Sequence, residues 1–183
     1  MINRSMHKLY PPFRKAMYRV LGYSNMHGCA TDVYETERSG SRQIQLFGKG
    51  ASSIKVSRHQ LSIACDIYPA KESGLFLMGI KFKHWFENDN GTLTHNGKVL
   101  QTLAHQNNLE WGGDWDSTFP IPGCPGVRCK DYAHFQWRLP STLPTNVLYH
   151  ILTKHNMKSV WQYLKDYEEN EANSETFFGG EAE

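Results

Sequence analysis

The chain has 183 residues, enough for one domain with appendages, and its 39% hydrophobic and 21% charged residues are typical of a soluble globular protein. A net charge of +2 is too small for a nucleic-acid-binding face, although it is compatible with an anionic polymer. No run approaches the ~18 apolar residues of a membrane span, and residues 1–23 lack the apolar stretch of a signal peptide. We therefore expect a protein made in the cytoplasm, which would reach any substrate outside it by another route.

The first 70 residues predict two helices and two strands. Phe13, Met17 and Val20 recur at the spacing of a helix face, so residues 11–22 should form an amphipathic helix. The remaining segments are a short strand at 30–34, a helix at 39–47, a small polar loop at 50–57 and an alternating, β-rich strand at 63–68.

The middle of the chain predicts a strand, a turn, a helix and a long loop. Residues 74–86 have the composition of a strand, and the Asn-Asp-Asn-Gly run at 88–91 is typical of a turn. Apolar residues between 99 and 104 indicate a helix that ends near Asn107 or Asn108. Residues 110–129, rich in Gly, Pro and Trp, should form an ordered loop.

Residues 133–139 alternate and predict a further strand. One face would carry Phe135, Trp137 and Leu139, and the other His134, Gln136 and Arg138.

The prolines at 140 and 144 mark a predicted domain boundary. Apolar residues around 147–152 and 160–167 indicate two short helices beyond it, and residues 168–183 are acidic, Gly-containing and poor in aliphatic side chains. We predict a domain at 1–140, a helical extension at 141–167 and a disordered tail at 168–183.

The four cysteines, Cys29, Cys65, Cys124 and Cys129, lack the CxxC spacing of a cysteine zinc site. Cys124 and Cys129 flank a Pro-Gly pair and could close a small loop disulfide. Free thiols are expected instead in a cytoplasmic protein.

Two histidine–aspartate pairs carry the candidate chemistry. His59 precedes Asp66 by seven residues at the entry to a predicted strand, and Asp131 precedes His134 by three. Two histidines and one carboxylate can hold Zn²⁺ and leave one position open for water, as a catalytic zinc requires. A second carboxylate nearby can accept a proton from that water.

These motifs resemble the zinc peptidase family of D-alanyl-D-alanine carboxypeptidases and phage L-alanyl-D-glutamate endopeptidases. The family pattern of Ser-x-His, Ala-x-Asp and Asp/Glu-x-x-His matches residues 57–59, 64–66 and 131–134. The segment from Arg38 to Gly50, the Trp-Gly-Gly-Asp-Trp box at 111–115 and the His-Phe-Gln run at 134–136 are also similar to family motifs, and the box is typical of the endolysin branch.

The sequence departs from the family pattern at two positions. Ser62 stands where the family usually has Gly three residues after the first histidine, and Ser would be strained if the backbone there needs a positive φ. Thr36 replaces a Gly commonly found two residues before the arginine. Neither change removes a metal ligand.

The resemblance implies an α+β fold of the hedgehog and D-alanyl-D-alanine peptidase type, with a small antiparallel sheet and helices packed on one side. It further implies His59, Asp66 and His134 as zinc ligands and Asp131 as the catalytic base. Arg38 is expected to hold a substrate carboxylate or the developing oxyanion. Two further residues are candidates for contact with substrate, but each has a structural alternative: Ser57 as a turn cap and Trp111 as loop packing.

The resemblance favours a zinc endopeptidase that cuts peptidoglycan stem peptides between L-Ala and D-Glu after release to the cell wall, and we expect a monomer. Cleavage of D-Ala-D-Ala is the alternative within the family. A non-enzymatic zinc module of the same fold is the alternative outside catalysis, and a virion-associated wall-opening enzyme would use the same chemistry. A phage or prophage origin follows from the resemblance alone.

Overall fold

A four-stranded antiparallel sheet organises the first of two units, Met1–Pro140 and Ser141–Glu183, in the computed structural model. The structure describes residues 2–52, 54–70, 82–115, 130–140 and 142–178. The strands are β1 (Thr31–Glu35), β2 (Ala64–Pro69), β3 (Leu109–Trp111) and β4 (His134–Trp137), in the spatial order β1-β2-β4-β3. The expected α+β class with a small antiparallel sheet is confirmed.

The pleat of the sheet separates an apolar face from a polar face, because successive side chains of a strand point to opposite sides. One face carries Cys65, Ile67, Trp111 and Phe135, all fully buried. The opposite face carries Asp66, Glu110, His134 and Gln136, paired across strands as Asp66 with His134 and Glu110 with Gln136. The polar side chains are thus gathered on one side of the sheet.

Helices α1 (Pro11–Met26) and α3 (His95–Gln106) pack against each other, and they contact β1 and β3 respectively. Phe13 of α1 is fully buried and meets Trp137 of β4 edge to face, with ring centroids 6.4 Å apart. Burial of a side chain of this size contributes roughly 1.5–3 kcal/mol. These helices therefore hold the apolar face, which leaves the polar face of the sheet for the site.

Helix α2 (Gly40–Gly48) follows β1 directly. Ser39 caps its first turn, because the hydroxyl oxygen accepts a hydrogen bond from the backbone N–H of Arg42. Gln43 is the buried residue of this helix, and its side chain donates to the carbonyl oxygen of Ile54 at 2.6 Å. The loop that leads to residue 57 is thereby tied to α2.

The second unit contains α4 (Thr145–Lys154) and α5 (Met157–Phe178), which pack against each other. Helix α5 continues through residues 168–178, where the sequence analysis predicted disorder, and that part of the prediction is wrong. Residues 157–178 contain no Gly or Pro, so helix propensity persists after the aliphatic residues end. None of the described helices is both long and apolar enough to cross a membrane.

Three other predictions differ from the structure or lie beyond what it describes. The loop expected from residue 110 onward begins with strand β3, whose three residues are too few to show periodicity. Part of the strand expected at 74–86 is a 3₁₀ helix, Phe82–Trp85. Residues 74–81 and 116–129 lie outside the described residues, and so do Cys124 and Cys129. Cys29 and Cys65 are buried and unpaired.

Candidate metal centre

His59 is held by a short 3₁₀ helix, Arg58–Leu61, that begins with a capping box. The hydroxyl of Ser57 accepts from the His59 backbone N–H, and the Gln60 side-chain oxygen accepts from the Ser57 N–H at 2.9 Å. Ser57 is 5% exposed and its cap orients the histidine loop, which favours the turn-cap alternative over contact with substrate.

Asp66 and His134 reach the same point from neighbouring strands, because they are directly paired in the register of β2 and β4. Oδ1 of Asp66 lies 3.0 Å from Nδ1 of His134 and 3.1 Å from Nε2 of His59. The two ring nitrogens are 3.3 Å apart. The structure thus brings together the three residues that were predicted as ligands from separate parts of the sequence.

The other nitrogen of each imidazole faces a carbonyl-type acceptor. Nδ1 of His59 donates to the backbone oxygen of Thr36 at 2.6 Å, and Nε2 of His134 donates to Oε1 of Gln136 at 3.1 Å. With these protons in place, both unprotonated nitrogens point at each other and at Asp66. Outer hydrogen bonds of this kind orient histidines that bind metals.

The donor set fits a cation at the point where the three side chains meet. One ligand atom from each of His59, Asp66 and His134 lies within 4.8 Å of the others. Two imidazole lone pairs and a carboxylate repel each other unless a positive charge stands between them. Two nitrogens and one oxygen are a donor set found in catalytic zinc sites, which keep a further position for water.

The pKa values reflect the same convergence of charge. Burial raises the pKa of the Asp66 carboxyl, but His59 and His134 outweigh burial and hold this pKa well below its ordinary range. Burial lowers the pKa of His134, yet the hydrogen bond that its protonated ring would donate to Asp66, together with the negative charge there, raises this pKa overall. The aspartate is therefore ionised and ready to coordinate.

Asp131 lies beside these three residues, at the turn before β4. The residue is exposed, but partial desolvation of its carboxyl by neighbouring groups raises its pKa, with a further contribution from the negative charge of Asp66. Its backbone N–H donates to the carbonyl oxygen of Gly112 at 3.0 Å. A Cβ added at Gly112 would lie 2.2 Å from the Asp131 carbonyl oxygen, so only glycine permits this approach. A carboxyl with a raised pKa near a metal site is suited to proton transfer.

The Trp-Gly-Gly-Asp-Trp box organises the loop against β4 and α3. Trp111 is 0% exposed, and its indole N–H donates to the Tyr132 carbonyl oxygen at 2.9 Å, so the expected substrate contact by Trp111 does not fit its burial. Asp114 accepts hydrogen bonds from Gln101 and His105 of α3. Trp115 is the aromatic residue of the box that lies beside the centre, with its ring centroid 5.2 Å from that of His134.

Arg38 lies next to the centre but is largely engaged by neighbouring side chains. Its guanidinium donates to Glu35 at 2.5 and 2.9 Å, to Gln43 at 2.9 Å and to Oδ2 of Asp66 at 3.3 Å. Arg42 donates to the second oxygen of Glu35 at 2.5 Å. The contact with Asp66 makes Arg38 an orienting partner of a ligand.

Two acidic residues on the strands that flank the centre were missed by sequence reasoning. Glu35 is 1% exposed at the end of β1 and lies opposite Asp66 in the sheet register. Its spacing of three residues from Arg38 is a signal that could have been read as an ion pair. Glu110 lies in the strand that was not predicted, so no periodicity pointed to it.

Residues 50–137 match a family model described as D-alanyl-D-alanine carboxypeptidase, of the M15 peptidases. The matched segment is just under half of the chain and contains His59, Asp66, Asp131 and His134. The solved structure of the Serratia marcescens L-Ala D-Glu endopeptidase ChiX is similar over 75% of this chain and 89% of that chain, with 21% identity and a TM-score of 0.47. No curated protein matches the chain.

Proposed function

We propose that this protein is a zinc peptidase of the M15 type that hydrolyses the stem peptides of bacterial peptidoglycan. The observation that carries the proposal is the convergence of His59, Asp66 and His134 beside a fourth group, Asp131, whose pKa is raised. These four residues lie in the segment that matches a peptidase family model. The proposed peptidase assignment rests on the chemistry of these residues together with their sequence motifs, because each histidine–aspartate pair alone is a weak signal.

His59, Asp66 and His134 would hold the metal. Zn²⁺ bound there supplies Lewis-acid activation of water and polarisation of the scissile carbonyl. Asp131 accepts a proton from the attacking water and returns it to the leaving amine as the C–N bond breaks. The raised pKa suits both roles, because a carboxylate with a higher proton affinity accepts the proton from water more readily while its acid form can still donate to the amine.

Arg38 supports the reaction by holding Asp66 and, where a substrate displaces one of its present partners, by binding a carboxylate or oxyanion. The first role uses the contact to Oδ2 of Asp66. The second follows the family resemblance. Both need the planar guanidinium, which presents several N–H donors in a fixed geometry.

The bond between L-Ala and D-Glu is the proposed cleavage site. The support is the resemblance of residues 111–115 to the box of phage endopeptidases, which also supports an endolysin that acts on the cell wall. Cleavage of D-Ala-D-Ala is a second candidate, favoured by the description of the matching family model. A zinc module without activity is opposed by Asp131, because a structural site has no need for a proton acceptor.

Digestion of purified peptidoglycan followed by mass spectrometry of the released fragments tests the proposal. We expect new L-Ala carboxyl and D-Glu amino termini, about one Zn²⁺ per chain, and loss of release after treatment with a strong chelator. Fragments that lack only a terminal D-Ala would establish the carboxypeptidase instead. Full release by metal-free protein would contradict the metal mechanism, and zinc binding without any release would support the inactive module.

A further inference from the structure

A series of hydrogen-bonded polar side chains extends from His134 on the sheet face that bears the ligands. Nε2 of His134 lies 3.1 Å from Oε1 of Gln136, and the amide nitrogen of Gln136 donates to Oε2 of Glu110 in a short contact. The same Glu110 oxygen lies 3.3 Å from Nη1 of Arg58. Glu110 and Gln136 are directly opposite each other in the register of β3 and β4, so the strands hold the contact in place.

The donors and acceptors in this series of hydrogen bonds can be assigned in one consistent way. An ionised glutamate only accepts hydrogen bonds, so Glu110 requires the amide NH₂ group of Gln136 to face it. Gln136 must then present its oxygen to His134, and Nε2 of that ring must carry the proton. The lone pair is left on Nδ1, the nitrogen that faces Asp66 and His59.

Arg58 adds a second constraint to the same carboxylate. Nη1 of Arg58 also donates to the Trp137 carbonyl oxygen at 2.9 Å, and Arg58 immediately precedes His59 in its 3₁₀ helix. The ion pair with Glu110 also requires this carboxylate to act as an acceptor, because a guanidinium only donates hydrogen bonds. It also joins the helix that carries one histidine ligand to the strand next to the other.

We propose that Glu110 is a positioning residue that, through Gln136, sets the tautomer of His134 and thereby the affinity of the centre for its metal. The inference rests on the proposed metal site, since it assigns a purpose to the free Nδ1 lone pair. Glu110 is not one of the three residues whose ligand atoms converge. Loss of a partner of this kind typically weakens metal binding about 10–100-fold.

The test exchanges the two side chains. Glu110→Gln keeps the shape of residue 110 but permits the Gln136 amide to turn over, so both tautomers of His134 become available. The double variant Glu110→Gln/Gln136→Glu restores a defined order, because Gln at 110 donates to Glu at 136, which accepts from Nε2 of His134. Glu37→Gln is the matched control, since Glu37 bonds to Asn3 and not to a histidine in the described contacts.

Two readouts are needed, and only one uses metal. Nitrogen-15 spectra of metal-free, histidine-labelled protein, at a pH where the ring is neutral, report the tautomer of His134 directly. Competition with a chelator reports the Kd for Zn²⁺. We expect the Nε2-protonated form in the parent and the control, a mixture and a Kd raised about 10–100-fold in Glu110→Gln, and recovery of both in the double variant.

Three results would overturn the inference. The first is a Glu110→Gln variant with the parent's tautomer and Kd, and the second is a weakened single variant that the double variant fails to rescue. If Glu110→Gln does not fold, the double variant is measured alone. The third contrary result is then a double variant whose His134 has the wrong tautomer or that binds zinc weakly. A parent protein that binds no zinc would refute the proposed metal site. The metal-free spectra would still test whether Glu110, through Gln136, sets the tautomer of His134.

Discussion

Arg38 and Asp66 are joined by a hydrogen bond from Nη2 to Oδ2 at 3.3 Å, while Oδ1 of the same aspartate faces both histidines. The two carboxylate oxygens therefore have separate partners. One is directed to the candidate metal position, and the other is held by a guanidinium that is itself paired with buried Glu35. The orientation of a ligand is thus set by residues outside the ligand set.

Replacing Arg38 by Lys should weaken zinc binding by about 10-fold, because Lys lacks the planar fork that joins Glu35 to Asp66. Arg42→Lys is the matched control, since Arg42 binds the other oxygen of Glu35 and has no described contact with Asp66. Zinc competition and turnover are measured on both variants. A fall in turnover with unchanged zinc affinity would assign Arg38 to substrate or oxyanion, and no change in either would reduce it to a structural ion pair.

Replacing Asp131 by Ala should leave zinc bound and the fold intact but reduce peptide release at least ~100-fold, because general acid–base assistance is typically worth about 10²–10⁴ in rate. His134→Ala should lose the metal as well. Zinc content is measured beside peptide release for the two variants. Loss of zinc in both would make Asp131 a ligand, and retained activity in Asp131→Ala would place the base elsewhere.

Gly112→Ala should lower activity while zinc stays bound, because the new Cβ would lie 2.2 Å from the Asp131 carbonyl oxygen and must displace that turn. Gly22→Ala is the control. A Cβ at Gly22, inside helix α1, meets nothing within 4 Å and should stabilise the protein by ~0.5–1 kcal/mol. The measurements are turnover, zinc content and urea unfolding. Unchanged turnover in Gly112→Ala would show that the turn tolerates the shift.

Ser62→Gly should stabilise the protein by about 1 kcal/mol. Ser62 has φ 59°, a left-handed conformation that costs a residue with a Cβ roughly 1–2 kcal/mol, and its buried hydroxyl has no hydrogen-bond partner among the described residues. The greater backbone freedom of Gly in the unfolded chain offsets part of the gain. Ser62→Ala removes only the hydroxyl and should gain less. Urea unfolding measures both, and a less stable Gly variant would disprove the strain.

Glu87 should make stability depend on pH in acid. Burial raises the pKa of its carboxyl, but hydrogen bonds from Lys130, Tyr132 and Lys83 outweigh burial and lower this pKa from 4.5 to about 2. The stabilisation is therefore complete above pH 4.5 and is lost as pH falls toward 2. Glu87→Gln should unfold more easily than the parent at neutral pH, and the difference should shrink across this window. A constant difference would exclude the linkage.

At Ser62, where the sequence departs from the family pattern, a local feature of the backbone could be predicted from the sequence. The position of a missing glycine predicted strain if φ were positive, and the structure has that φ. The alternation in residues 133–139 likewise predicted which side chains of β4 share a face with His134. Both inferences are local, because backbone sterics and the pleat depend only on neighbouring residues.

The sequence by itself determined the donor types, their order and the faces on which they lie. Only the tertiary structure decided that Asp66 pairs with His134, that Trp111 is buried and that Glu110 reaches Gln136. Strand register and the pairing of β3 depend on how the apolar face packs against α1 and α3, and a three-residue strand carries no periodic signal of its own. Contacts between residues distant in sequence thus set the outer hydrogen bonds of the site.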